Sequence, residues 1–204
     1  KNAKAVVNYT YDAWRRIISL DSAGTNKVLY KYDSYYDCNY TPADTMNAKG
    51  RLTRLITVDI DTTWLVYDKL GRTIKTVYAL AGMAGGRDSI RYVYNAAGAC
   101  TSMVYPDGTN IRYTYNGIGQ LTGVPNYISS LVFNANGTIK KINNGNLTND
   151  SLFYDNLLRI TRIKTSYYDA ETPVQARMDL RYTDWADGQI SQVQDYLNSS
   201  YTQY

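Results

Sequence analysis

Apolar and polar positions alternate over short runs of this chain, as in Tyr9-Thr10-Tyr11, Tyr30-Lys31-Tyr32, Tyr113-Thr114-Tyr115 and Leu180-Arg181-Tyr182. A spacing of two places both large residues on one face of a strand. Leu65, Tyr92, Leu131 and Leu152 also stand two residues before an aromatic. Turn residues follow, and then a second apolar series spaced by three: Leu52 and Leu55, Leu121 and Val124, Ile139 and Ile142, Ile160 and Ile163, Ile190 and Val193. That spacing is also compatible with a short helix. The intervening Thr residues and the turn chemistry on both sides instead predict a strand carrying a β-bulge.

The turns repeat. Tyr67-Asp68-Lys69-Leu70-Gly71, Tyr94-Asn95-Ala96-Ala97-Gly98, Tyr115-Asn116-Gly117-Ile118-Gly119 and Phe133-Asn134-Ala135-Asn136-Gly137 all read aromatic, Asp or Asn, two residues, Gly. The Asp or Asn side chain bonds its own backbone and opens a turn, while Gly supplies the positive φ that closes a hairpin loop. Tyr11-Asp12 and Tyr154-Asp155 begin units that lack the Gly, and residues 182–188, ending in Gly188, read as a unit with two extra residues. Tyr32-Asp33 begins a unit that resumes at Lys49-Gly50-Arg51-Leu52 after an insertion loop, residues 34–48. The Gly register recurs about every 21 residues, which suits two strands and two turns and lies in the roughly 20–50-residue range of stacked repeats. Pro106-Asp107-Gly108-Thr109 predicts the turn joining one unit to the next. The expected architecture is all-β: residues 1–204 as a single array of about eight tandem antiparallel β-hairpin repeats.

Composition removes several functional classes. There are 22 Tyr against two Phe, so most aromatic surface carries a hydroxyl that needs water or a partner, as on half-exposed strands. No apolar run approaches the roughly 18 residues of a membrane span, so no direct membrane insertion is expected. The absence of His removes the usual general base and the commonest metal ligand. The net charge of +4 comes from basic residues that recur singly, unlike the basic stripe of a nucleic-acid binder. Cys38 and Cys100 lie far apart, outside any CxxC, and read as two thiols rather than a disulfide. The first residues, Lys1-Asn2-Ala3-Lys4, contain neither an initiator Met nor a signal-peptide core, and residues 201–204 read as the start of another strand. The expectation is a piece of a larger polypeptide.

The recurring Tyr-x-Tyr-Asp-x-x-Gly-Arg-Leu/Ile register, the Tyr105-Pro106-Asp107-Gly108-Thr109 connector and the Lys49-Gly50-Arg51-Leu52-Thr53-Arg54-Leu55 run resemble the YD-repeat, or RHS-repeat, family over nearly the whole chain. The resemblance implies a curved, spiralling sheet forming a hollow shell, as in the Tc-toxin BC cocoon, polymorphic RHS toxins and the teneurin barrel. It implies as partners the remaining repeats and an enclosed or C-terminal domain of the same polypeptide. It also implies a secreted or cell-surface setting. The self-cleaving protease motif of bacterial members has no match here, since Pro106-Asp107-Gly108 has the wrong order.

Asp12, Asp33, Asp68 and Asp155 recur at one turn position, and Arg51, Arg72 and Arg159, with Arg16, recur just after it. These residues, together with Tyr11, Tyr32, Tyr67, Tyr94, Tyr115, Tyr154, Gly50, Gly71, Gly98, Gly119, Gly137 and Gly188, are expected to be structural repeat-motif positions. Inter-repeat hydrogen bonding and stacking on Tyr is the expected arginine role, ahead of anion or sugar binding. Gly117-Ile118-Gly119 with Gly123, and Gly82 with Gly85 and Gly86, lack the strand-to-helix setting of a phosphate loop. Asp59 and Asp61, two apart on one expected strand face, make too small a donor set for a cation. Exposed Tyr and Trp, including Trp14, Trp64 and Trp185, are the residue types that stack on sugars, although most are expected to serve sheet packing. Sequons stand at Asn8, Asn39, Asn136, Asn146 and Asn198.

The expected function is that of a structural shell segment, not an enzyme, with no catalytic, metal or cofactor site. The alternative is a carbohydrate- or receptor-binding surface module. Open strand edges also raise edge-paired oligomers.

Overall fold

The computed structural model describes residues 6–22, 27–35, 47–82, 86–168, 175–197 and 202–203. Every strand pairing among them is antiparallel, and no helix occurs. The chain divides into two compact units, Lys1–Asn110 and Ile111–Tyr204.

In the first unit the strands lie in sequence order: β1 (Val7–Tyr11), β2 (Ile17–Ser22), β3 (Val28–Tyr32), β4 (Leu52–Thr57), β5 (Asp61–Tyr67), β6 (Thr73–Leu80), β7 (Asp88–Tyr94) and β8 (Cys100–Val104), with β9 (Asn110–Arg112) at the boundary. The second unit holds a two-stranded ribbon, β10 (Thr114–Tyr115) with β11 (Leu121–Gly123). It also holds a seven-stranded sheet: β12 (Ile128–Phe133), β13 (Ile139–Asn144), β14 (Thr148–Tyr154), β15 (Ile160–Tyr167), β16 (Gln175–Asp184), β17 (Ile190–Asp195) and β18 (Thr202–Gln203). The all-β, tandem-hairpin architecture read from the sequence is the observed one.

The repeated turn has one geometry. The N–H of Asp68 donates to the Arg72 carbonyl and the N–H of Gly71 to the Asp68 carbonyl, both at 3.0 Å. The same two bonds close the turns at Asp12, Asn95, Tyr105, Asn116, Asn134, Asp155 and Trp185. The fourth turn residue sits in the left-handed region, with φ of 83° at Gly71 and 87° at Gly98, Gly137 and Gly188. This is a three-residue hairpin loop of a type I turn followed by a left-handed residue. Arg15 and Leu158 adopt the same conformation with φ of 63°, at a cost of about 1–2 kcal/mol each relative to Gly.

The three-residue apolar spacing is a bulge, as expected. Tyr67 faces Thr73 while Val66 faces Lys75, which leaves Ile74 extra on β6. The same offset recurs after Tyr11, Tyr32, Tyr94, Tyr115, Phe133, Tyr154 and Asp184. At three of these bulges the hydroxyl of the extra residue donates to a carbonyl of the partner strand, Thr53 to Lys31, Thr101 to Val93 and Ser191 to Thr183, while Thr122 donates to the Thr114 hydroxyl.

The last hairpin corrects one reading. Residues 182–188 contain no extra residues, because Asp184 occupies the aromatic position opposite Ile190 and Trp185 the Asp position. Asp187, two residues into the turn, takes over the acceptor role by receiving the Gln189 N–H at 3.0 Å. Tyr182, not Leu180, therefore stands two residues before the aromatic position.

A single-layer sheet buries little, and the described core is correspondingly local. Tyr35, Ala48, Trp64 and Val77 form one buried cluster, with Ala79 packed against it. Trp64 and Val66 alternate with Leu65 on β5 and so face the side that Tyr35 covers. Burying Val66 and Val77 is worth about 1.5–3 kcal/mol each. Trp64, expected among the exposed aromatics, is thus a core residue. The cover comes from the described ends of the insertion, Ser34 and Tyr35 on one side and Asn47 and Ala48 on the other. Residues 36–46, with Cys38 and Asn39, lie outside the described residues, as do Gly85 and Asn198.

Candidate functional site

The feature that the sequence places at one register is a ladder of Asp, Arg and Tyr. Asp68 illustrates it: Oδ1 accepts from the N–H of Leu70 and of Arg72, each at 2.9 Å, and Oδ2 accepts from Arg72 Nε at 2.7 Å. Asp12 receives the same three bonds from Trp14, Arg16 and the Arg16 side chain, and Asp155 from Leu157, Arg159 and the Arg159 side chain. The side chain thereby pays off turn donors that a strand partner cannot reach.

Each arginine then reaches the next repeat. Arg16 donates to both Asp33 carboxylate oxygens, at 3.2 and 2.7 Å. Arg72 Nη1 donates to the Asn95 carbonyl at 3.2 Å and Arg159 Nη1 to the Trp185 carbonyl at 3.5 Å. The guanidinium also lies over the next aromatic, with Arg16 4.3 Å from the Tyr32 ring centre, Arg51 5.6 Å from Tyr67 and Arg72 4.7 Å from Tyr94. The tyrosines point back across the same junction: Tyr32, Tyr67, Tyr94 and Tyr154 donate their hydroxyls to the carbonyls of Ile17, Leu52, Thr73 and Ile139, at 2.7–3.0 Å. A hydrogen bond of this kind contributes about 0.5–1.5 kcal/mol net, and an exposed cation–π contact about 0.5–1 kcal/mol.

Charge follows the geometry. Burial pushes the Asp68 carboxyl up, but hydrogen bonds from the Arg72 backbone and side chain outweigh it and hold it below the ordinary Asp value. Asp12 shows the same balance, with burial opposed by Arg16. Asp33 is held low by the Arg16 side chain and the Gly50 N–H, and Asp155 by the Arg159 backbone and side chain. Burial raises the phenols of Tyr32, Tyr67 and Tyr94. These groups are fully committed to their partners, and none is poised near neutrality as an acid or base.

The remaining repeat positions fall on the same turn. Asn116 with Gln120, around Gly119, makes a neutral version of the Asp–Arg pair, with Nδ2 donating to Oε1 at 2.9 Å, and Tyr115 ends β10 before it. Tyr11 ends β1 and is 55% exposed. Gly50 closes the enlarged turn at the far end of the insertion, and its N–H donates to Asp33 Oδ1 at 2.6 Å. The Asp33 N–H still meets the Arg51 carbonyl at 3.1 Å, so the insertion is housed inside an ordinary repeat turn. Gly71 combines a positive φ with a close neighbour: a Cβ there would stand 2.6 Å from Arg51 Nη2, the end of a flexible side chain that would have to shift.

Several residues were invisible to sequence reasoning. Tyr35 donates its hydroxyl to the Leu65 carbonyl, Asn47 Nδ2 to the Tyr67 carbonyl at 3.1 Å, and Arg51 Nη1 to the Asn47 carbonyl at 2.6 Å. These bonds pin the insertion stem across β5. The one available signal was Trp64 itself, which stands three residues before the repeat aromatic where other repeats carry Asn8, Arg91, Ser130 or Ser151.

Other candidates separate. Asp59 lies in the β4–β5 turn with φ of 64°, not on a strand face with Asp61. Among the described residues no group of three or more His, Cys, Asp or Glu could hold a metal ion, and no helix is long and apolar enough to cross a membrane. Gly119 closes a hairpin, and Gly123 lies in β11. Trp14 and Trp185 are exposed at turns, at 75% and 64%. The Cys100 thiol forms no disulfide and contacts the Ser102 carbonyl at 3.4 Å.

Residues 88–124, spanning β7 to β11, match the family model described as RHS Repeat. Over these residues the hairpin is similar to an RHS repeat. No curated protein sequence matches the chain. Among solved structures, the crystal structure of TcdB2-TccC3 superposes with a TM-score of 0.67 at 17% identity, covering 93% of this chain and 12% of that one. The Photorhabdus luminescens Tc holotoxin pore gives 0.66 at 16% identity, covering 93% and 11%. The crystal structure of TcdB2-TccC3-TEV gives 0.66 at 17%, again covering 93% and 11%. The likeness establishes the fold, and the chain spans about a ninth of the length of the chains it resembles.

Proposed function

We propose that this RHS array is a wall segment of a hollow β-shell in a secreted or cell-surface protein, enclosing or presenting another domain of the same polypeptide, with a toxin domain as the leading candidate. The observation that carries the reading is the inter-repeat ladder, in which Arg16, Arg72 and Arg159 and Tyr32, Tyr67, Tyr94 and Tyr154 bond to the neighbouring repeat. A ladder of this kind stabilises a sheet by extension, as solenoids do, without a second layer. The fold shared with the Tc-toxin structures over 93% of the chain supports the same reading. On this view residues 1–204 act as one continuous array. The Asp, Arg, Tyr and Gly positions hold the wall and perform no catalysis.

Limited proteolysis of the polypeptide that carries the array, read by mass spectrometry, tests this. An enclosed domain should be cleaved far more slowly than the same domain expressed alone. Equal cleavage in the two settings would overturn the enclosure reading.

A further inference from the structure

One face of the second unit sets two lysines beside a row of neutral polar side chains. On β13, β14 and β15 the register sets Lys141 opposite Ser151 and Ser151 opposite Lys164. The lysines are thus two strand spacings apart, about 10 Å. The adjacent row, Asn143, Asn149 and Ser166, is neutral and polar. With Phe153 and Tyr168 at its ends, 45% and 57% exposed, this surface forms an open depression of ≈ 500 Å³.

Its charge is uncompensated. Asp179, which follows Lys164 in the same row on β16, is the acid of this face among the described residues of β13–β16. Both of its oxygens are taken by Arg162, at 2.6 and 2.5 Å, and that pairing holds its carboxyl below the ordinary value. Arg181 adds a further positive charge beside it, stacked 3.8 Å from the Tyr196 ring centre.

We infer that this depression binds an acidic oligosaccharide whose carboxylates fall on alternate sugars. Lys141 and Lys164 meet two successive carboxylates, because two sugar rings bridge a gap of two strands. Asn143, Asn149 and Ser151 bond ring hydroxyls, and Phe153 and Tyr168 supply apolar faces for the sugar rings, an amphipathic match that a plain cation patch does not offer. The alternative occupant, an acidic polypeptide, would use the lysines and leave the amides and rings idle. Binding by the chain itself is independent of whether the array encloses anything, so this inference and the shell reading fail separately.

Isothermal titration of the whole chain at low salt decides it, with a hyaluronan hexasaccharide, the neutral chitin hexasaccharide and poly-glutamate as probes. The expected result is saturable hyaluronan binding, at least ~10-fold weaker for the neutral sugar and for the Lys141→Gln/Lys164→Gln double variant. Lys75→Gln, on the first unit, should leave binding unchanged, and both variants should keep the parent circular dichroism spectrum. No saturable hyaluronan binding, an equal loss in Lys75→Gln, or poly-glutamate binding as tight as the sugar would overturn the proposal. If the double variant alone loses its fold, Lys141→Arg serves in its place and must retain binding.

Discussion

The β5–β6 hairpin and the β14–β15 hairpin share turn, register and bulge, yet their second faces live in different surroundings. Trp64 and Val66 on β5 are 5% and 2% exposed, whereas Phe153, at the Val66 position of β14, is 45% exposed and Ser151 stands at the Trp64 position. Val93 and Val132, at the Val66 position of two further repeats, are 53% and 42% exposed. The repeat therefore builds one half-buried face everywhere and leaves the other open unless something outside the repeat covers it. In the first unit the cover is the insertion stem, pinned by Tyr35 and Asn47. The open face in the second unit carries lysines and amides instead. A single-layer sheet can be given a local core by one insertion without any change to the hairpins below it.

Substitutions at matched positions break the comparison most sharply. Trp64→Ala should destabilise by about 3–5 kcal/mol through loss of the covered cluster, while Ser151→Ala should stay within about 0.5 kcal/mol. Urea unfolding of the two variants gives both numbers. Next in size, Val66→Ala should cost about 2 kcal/mol against less than about 1 kcal/mol for Val132→Ala, since only the first leaves a cavity. Equal costs within either pair would show that the insertion does not cover β5.

Features common to both regions should respond alike. Tyr94→Phe in the first unit and Tyr154→Phe in the second each lose one inter-repeat hydroxyl bond, worth about 0.5–1.5 kcal/mol, and thermal melts should place them together. Leu158→Gly should be stabilising by about 0.5–1 kcal/mol, because relief of a left-handed Leu exceeds the entropy that Gly costs.

Much of this could be read from residues in order, because the repeat is local. The Gly at the left-handed position, the Asp or Asn that opens the turn and the bulge between Leu52 and Leu55 all act within one hairpin, so a period and a spacing reveal them. Trp64 could not be read the same way, since its burial depends on Tyr35 and Ala48, which reach it only after the chain folds. The misalignment of residues 182–188 has a local cause: Asp187 takes over the turn-acceptor role two residues late, freeing Trp185 to stand where an Asp stands elsewhere. The inter-repeat reach of Arg16 and Arg72 was legible as a register, but its partners, the Asp33 carboxylate and the Asn95 carbonyl, needed the strand order.

The smallest expected effect is that of acid. Asp12, Asp33, Asp68, Asp155 and Asp179 all have carboxyls held below the ordinary value by arginine and backbone donors. The stability they contribute is present above the unfolded Asp value of about 3.9 and is lost as pH falls through their lower folded values. Tm should be flat from about pH 7 to 5 and fall below about pH 4. Because both units carry the Asp–Arg pair, hydrogen-exchange protection in the two should fall over the same window.

The central claim, that the array is one layer of a hollow wall, is tested most directly by cryo-electron microscopy of the polypeptide that carries it. The account predicts a hollow particle whose wall is a single sheet thick, with these hairpins at consecutive positions along it. A solid particle in which this sheet packs face to face against another would contradict it.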